Sequence, residues 1–391
     1  MNQELAQLIE RSAELKGDLV RFARGPRFER SLTAALLEVA GPEGGLDEGD
    51  VIGVIDRFAL QHRLHDGKTV VERFVASRPD LAEADREMLL GWRDPVEGLF
   101  EIRGTDWDAI ILLNLLDDVA YRTYSNIGRA AFRRLPKGGF LHARLVPLGP
   151  VSGAWLVSGV MTAYRKSDAM RVAQAALDLA VRQPELVFRN PEKVRRGWEQ
   201  MRQDRAAFVE FFGADELVLP PAEVEEQINA FHRHRQDAAV ARQPGRFRGQ
   251  DIPGLDVPLF RLPRDVAEFG TVGVIYDEVD GLNFYPEYGM LQDLFADPAL
   301  AGDKRYADVL REYLRSETIA PLPLLRLAAA HPDTVDAVFR KILRKPDFTW
   351  TEHGEALLRK RKAWYYKCEP RPGVSVIGAR LSELAARAPR R

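Results

Sequence analysis

A chain of 391 residues, 46% hydrophobic and 29% charged, has room for two or three domains with well-buried cores. No stretch approaches the ~20 uninterrupted apolar residues of a membrane helix. The start Met1-Asn-Gln-Glu-Leu-Ala lacks the pattern of a secretory signal, and a single cysteine excludes an internal disulfide or a site built from several cysteines. The expected setting is the cytoplasm, with no membrane partner.

The first 95 residues read as helices. Leu5, Leu8, Ile9, Leu15, Leu19 and Phe22 fall on one face of a helix over Glu4–Phe22. A second helix over Ser31–Val39 is expected to end at Gly41-Pro42, and Asp47 or Asp50 can cap a third that carries Val51, Ile52, Ile55 and Phe58. Lys68–Ala76 and Leu81–Trp92 complete a packed helical unit over residues 1–96.

Five short runs follow: Gly98–Arg103, Ala109–Leu116, Val119–Tyr124, Phe140–Val146 and Ala154–Met161. They are rich in β-branched and aromatic residues and are separated by turn residues, which predicts a small curled sheet or barrel over 97–166. Alternation puts His142 and Arg144 on the face of Phe140, and Arg122 with Tyr124 on one face of their strand. Small barrels often bind oligonucleotides on such faces, and they serve equally as packing modules.

Within this part of the chain, Leu89-Leu-Gly-Trp92, Gly98-Leu-Phe-Glu101, Gly138-Gly-Phe-Leu-His-Ala-Arg-Leu-Val-Pro147 and Trp155-Leu-Val-Ser-Gly159 carry a likeness. The stretch from Val71 to Met161 resembles a region of uncharacterised bacterial proteins, some of which end in a SEC-C zinc motif. That resemblance names no chemistry. The zinc motif needs several cysteines and this chain has only Cys368, so no zinc function is implied.

Residues 167–391 read as a larger, mainly helical region. Helices are expected over Met170–Val181 and Glu192–Phe212, and after Pro220-Pro221. Gln243–Pro258, rich in Gly and Pro, is the best linker candidate. Thr271–Tyr276 and Leu282–Tyr285 flank Asp280-Gly281, a strong hairpin signal. Further helices are expected over Gly289–Phe295, Tyr306–Leu314, Leu324–Ala330, Thr334–Leu343 and Glu352–Trp364, before a frayed end at Ala388–Arg391. The fold class is therefore α+β: a helical N-terminal unit, a small β-sheet or barrel-like unit, and a mainly helical region with a short sheet.

The formal charge of −2 hides an asymmetry. From Arg340 onward 14 Lys/Arg stand against 5 Asp/Glu, or +9, which leaves −11 on the rest. In this basic end Arg359, Lys360, Arg361 and Lys362 run into Trp364 and Tyr365. Cations can neutralise phosphates while rings stack on bases, so these six residues are the candidate nucleic-acid contacts. The competing reading is a basic face whose Trp and Tyr pack on the body.

The second candidate is acidic: Asp277, Glu278 and Asp280 at the end of the buried strand can ligate a divalent cation or act as acid and base. Hairpin turns are also ordinarily acidic, because Asp satisfies turn backbone. No Walker loop, dinucleotide fingerprint, serine-nucleophile elbow or His-Glu-x-x-His motif is present, so no cofactor is expected. His62 and His65 can share a helix face near Asp66, without a third ligand in view. The expected function is a non-enzymatic binding or regulatory protein with nucleic acid as the most specific partner. The alternatives are a metal-assisted hydrolase on the acidic cluster and a scaffold with a protein partner.

Overall fold

The computed structural model describes residues 3–40, 44–149, 153–242, 259–374 and 376–386. Gly41-Pro42, the Gln243–Pro258 stretch and the Ala388–Arg391 end lie outside these. The chain divides into two compact units, Met1–Lys193 with Ser375–Arg391, and Val194–Val374. Both contain helices and a sheet of their own, and the fold is α+β.

In the first unit, helices α1 (Gln3–Ala23), α2 (Glu29–Ala40), α3 (Glu48–Leu60), α4 (Val70–Ser77) and α5 (Glu83–Gly91) precede the strands. Two of them start on reciprocal caps. Asp47 accepts from the Asp50 amide at 2.8 Å while Asp50 accepts from the Asp47 amide, so both aspartates serve α3. Thr69 and Glu72 do the same for α4. The apolar faces meet around Leu15, Leu19, Phe58, Phe74, Leu89 and Trp92, and this cluster takes in Tyr124, Val146, Leu148 and Leu156 of the β region. Helices and strands, which the sequence divided at residue 96, thus share one core.

The strands are β1 (Val96–Asp106), β2 (Ala109–Asn114), β3 (Ala120–Tyr124), β4 (Phe140–Pro147) and β5 (Ala154–Tyr164). They close a barrel in the order β1-β2-β3-β5-β4, with β3 and β5 parallel and the other pairs antiparallel. Closure requires β1 to serve two neighbours, and it does so by bending. Val96–Glu101 pairs with β4, Phe100–Asp106 pairs with β2, and a bulge lies between Ile102 and Gly104. Gly98 permits the tight inner face, because a Cβ there would stand 2.7 Å from the Asn114 side-chain oxygen.

Inward-facing Val96, Phe100, Ile102, Ile110, Leu112, Tyr121, Leu141 and Leu145 fill the barrel. Each such side chain contributes about 1.5–3 kcal/mol on full burial. The outer face of β1 and β4, at Leu99 and Phe140, is covered by α6 (Ala169–Arg182) and by the C-terminal helix Ala379–Ala386. Arg380 of that helix is held by the buried Glu101 at 2.9 and 2.7 Å.

In the second unit, β6 (Glu216–Leu219), β7 (Val272–Asp277) and β8 (Gly281–Pro286) form an antiparallel sheet in that order. The expected Asp280-Gly281 hairpin is present, with Gly281 at φ +73°. One side of the sheet packs on Phe208, Val224, Ile228 and Phe231. Tyr285 and Ile275 instead join a helical core around Leu291, Phe295, Leu310, Phe339 and Leu358. The helix expected over Glu352–Trp364 is two helices, Trp350–Arg361 and Ala363–Lys367, with the break at Lys362.

Candidate functional site

The basic-aromatic segment lies in the second unit, and much of it is committed to the fold. Lys362 is fully buried and its ammonium donates to the Ser316 carbonyl. Burial pushes its pKa down to about 8, against a smaller opposing pull from Glu312. At Lys362 the chain leaves helical geometry, at φ −114° and ψ 36°, which ends the helix without a glycine or proline. Arg359 pairs with Glu355 at 2.8 Å and its guanidinium lies over the Tyr366 ring. Trp364 is half-buried and its indole N–H is buried. Tyr365 donates its hydroxyl to Asp280 at 2.8 Å. Of the six residues singled out, Lys360 and Arg361 stand exposed without a carboxylate partner among the described residues.

The acidic candidates sit beside them and are used by the turn. Asp277 accepts from the Val279 and Asp280 amides at 2.8 and 3.1 Å. Glu278 is largely exposed, 3.7 Å from Arg205. Burial, with help from Asp277, raises the Asp280 pKa against the opposing hydrogen bond from Tyr365. Nearby, Arg326 bridges Asp215 and Glu216. No group of three or more His, Cys, Asp or Glu able to hold a metal occurs among the described residues. His62 stacks on Phe58, and Asp66 pairs with Arg73.

A different surface gathers cations in the first unit. The connection from β3 to β4 turns through a 3-10 helix at Gly128–Phe132, where Phe132 plugs the barrel core. Arg129, Arg133, Arg134 and Lys137 of this connection are all exposed. Backbone hydrogen bonds from Gly138 to Ile102 and from Ile102 to Gly139, at 2.8 and 2.9 Å, lay the end of this connection along β1 beside Arg103. Phe140 pairs with Tyr164, and the Lys166 stem lies 3.8 Å from the place of a Gly138 Cβ. The backbone next to Lys137 is thus bonded to the residue before Arg103, with the Lys166 stem close to Gly138.

Among the described residues, none of Arg129, Arg133, Arg134, Lys137 and Lys166 has a carboxylate within ion-pair distance. Arg103 is half-exposed, 3.3 Å from Glu101. Arg171 lies over the Tyr164 ring, 5.4 Å from its centre. Sequence reading weighed Arg122, His142 and Arg144 in the β unit and the basic residues near the chain's end, and did not single out these cations. The signal was present, since Val119–Ser167 contains Arg122, Arg129, Arg133, Arg134, Lys137, Arg144, Arg165 and Lys166 and no Asp or Glu.

Two of those cations are taken up elsewhere. Arg122 is bonded to Asp106 and to the Tyr124 hydroxyl. Arg144 is buried between Asp56 and Glu97, at 3.1 and 2.7 Å. Asp56 also accepts from Lys16 and from the Ser158 hydroxyl, so this ionic group ties α1 and α3 to the barrel wall. Burial alone would raise the Asp56 pKa, but Lys16, Arg144 and Ser158 together hold it below the usual carboxylate range. Ser158 is thus a buried link in a structural network.

No helix among the described residues is long and apolar enough to cross a membrane. Comparison with known proteins gave no match to a family model, a curated protein or a solved structure.

Proposed function

We propose that this protein binds nucleic acid, and that the binding surface is the basic end of the barrel in the first unit. The observation that carries the reading is the set Arg129, Arg133, Arg134, Lys137 and Lys166, exposed and without carboxylate partners among the described residues. Among the described residues, most other arginines stand within ion-pair distance of an acid, as Arg11, Arg73, Arg189, Arg205 and Arg326 do. A cluster of like charges left uncompensated is relieved by an anion, and a polyanion relieves several at once by releasing its condensed counterions. Five-stranded Greek-key barrels present such surfaces to oligonucleotides, an analogy at the level of fold. The basic-aromatic segment of the second unit is the weaker candidate, since it offers Lys360 and Arg361 against five cations on the barrel.

The test is fluorescence anisotropy with a labelled oligonucleotide over rising salt. Five phosphate contacts on a single strand predict a slope of log K against log salt of about −3.5. Replacing Arg133 and Arg134 by Ala should make the slope shallower by about 1.4. A slope unchanged in that variant contradicts the reading. Binding to phosphatidylserine vesicles in place of oligonucleotides would assign the surface to a membrane instead.

A further inference from the structure

Resting on that reading, we infer that the nucleic acid is single-stranded and that Trp107 is the side chain on which an unpaired base stacks. Trp107 forms the tip of the β1–β2 hairpin and is 80% exposed. Its backbone is left-handed, at φ +56°. Hairpin positions of this kind favour Gly or Asn, and a bulky residue there costs roughly 1–2 kcal/mol. An indole that buries so little returns almost nothing to the fold in exchange. The left-handed backbone together with the exposed ring is the observation that points to a ligand at this tip.

The surroundings give the chemistry of the cover. The last β1–β4 pair is Glu101 with Phe140, whereas β1 and β2 remain paired as far as Asp106 with Ala109. The Trp107 tip therefore lies beyond the end of β4, on the same strand as Arg103 and past the point where Lys137 arrives. Cations at the foot of the hairpin and a ring at its tip suit a strand whose phosphates follow the barrel end while one base reaches the indole. Trp107 stands between Asp106, whose charge is met by Arg122, and Asp108, which is also engaged.

Stacking on an exposed ring is worth roughly 1–3 kcal/mol per base and tolerates any base. In a duplex the faces of the bases are already occupied by their neighbours. An indole would have to open a base step, at a cost of a few kcal/mol, and its chain neighbours Asp106 and Asp108 supply no apolar wedge to share it. Single strands are the better fit, and the same ring accepts RNA or DNA.

The experiment compares labelled oligo-dT, oligo-U and a duplex of equal length, with heparin as a polyanion that has no bases. The intact protein should bind both single strands at least about tenfold more tightly than the duplex. Trp107→Ala should weaken single-strand binding by about 5- to 150-fold, the equivalent of one stacked base. Its salt slope and its heparin binding should stay unchanged, and Trp107→Phe should retain most of the affinity. An unchanged melting temperature shows that the variant is folded. Equal affinity for duplex and single strand, or a Trp107→Ala variant that binds like the intact protein, overturns this inference and leaves the nucleic-acid reading standing. Failure of the intact protein to bind any of these polyanions at low salt overturns both.

Discussion

The Tyr365 hydroxyl donates to Asp280 at 2.8 Å, joining residues 85 positions apart. Each belongs to a stretch that the sequence offered as a separate site, one for phosphates and one for a cation. In the structure each occupies the other: the ring is held by the hairpin, and the hairpin carboxylate is held by the ring. Tyr365→Phe should therefore lower stability by about 1.5–3 kcal/mol, the range for a hydrogen bond to a charged group. Denaturant unfolding measures it, with oligonucleotide affinity expected to stay unchanged. A loss of affinity at unchanged stability would return Tyr365 to the nucleic-acid surface.

Lys362 gives the second unit a pH signature. Its folded pKa of about 8 lies below the ordinary lysine value near 10.4, so the unfolded chain holds the proton more tightly. Stability should rise as pH increases through that window, because the folded state is relieved of a buried charge that the unfolded state still carries. Lys362→Met should abolish this rise. Melting curves between pH 7 and 10 on both proteins check it, and parallel curves would refute it.

The Asp56 group predicts a response of the same sign in the first unit, in an acidic window. A carboxylate held below its usual pKa contributes stability above about pH 4 that is lost as pH falls through its lower folded value. Removing the acid altogether leaves Lys16 and Arg144 buried beside one another with Glu97 as the remaining close acid. Asp56→Ala should cost about 3–5 kcal/mol, as expected for breaking a buried ionic group by deleting one member. A loss below about 1 kcal/mol would mean that water or Glu97 compensates.

Local signals in the sequence foretold local structure. The five β runs and the Asp280-Gly281 hairpin were legible because alternation and turn chemistry act within a few residues. The closure of β1 on β4 and the parallel β3–β5 pair were not, since both join strands distant in sequence. The burial of Lys362 was likewise not legible, since its ammonium meets Ser316, 46 residues away. At the candidate surface the order is reversed. The acid-free run from Val119 to Ser167 could be read directly, but which of its cations remain available depends on Asp106, Asp56 and Glu97, and their partners appear only in the fold.

Where the cations act decides the account, so the most direct measurement reverses charge at the two competing places in parallel. Arg133→Glu with Arg134→Glu alters the barrel end, and Lys360→Glu with Arg361→Glu alters the exposed part of the basic helix. Affinity for one labelled single-stranded oligonucleotide is then compared at one low salt concentration, after melting curves establish that both variants are folded. The account predicts a loss of more than about tenfold for the barrel pair and less than about threefold for the helix pair, because the first removes phosphate contacts and the second does not. A larger loss from the Lys360 and Arg361 pair would contradict it.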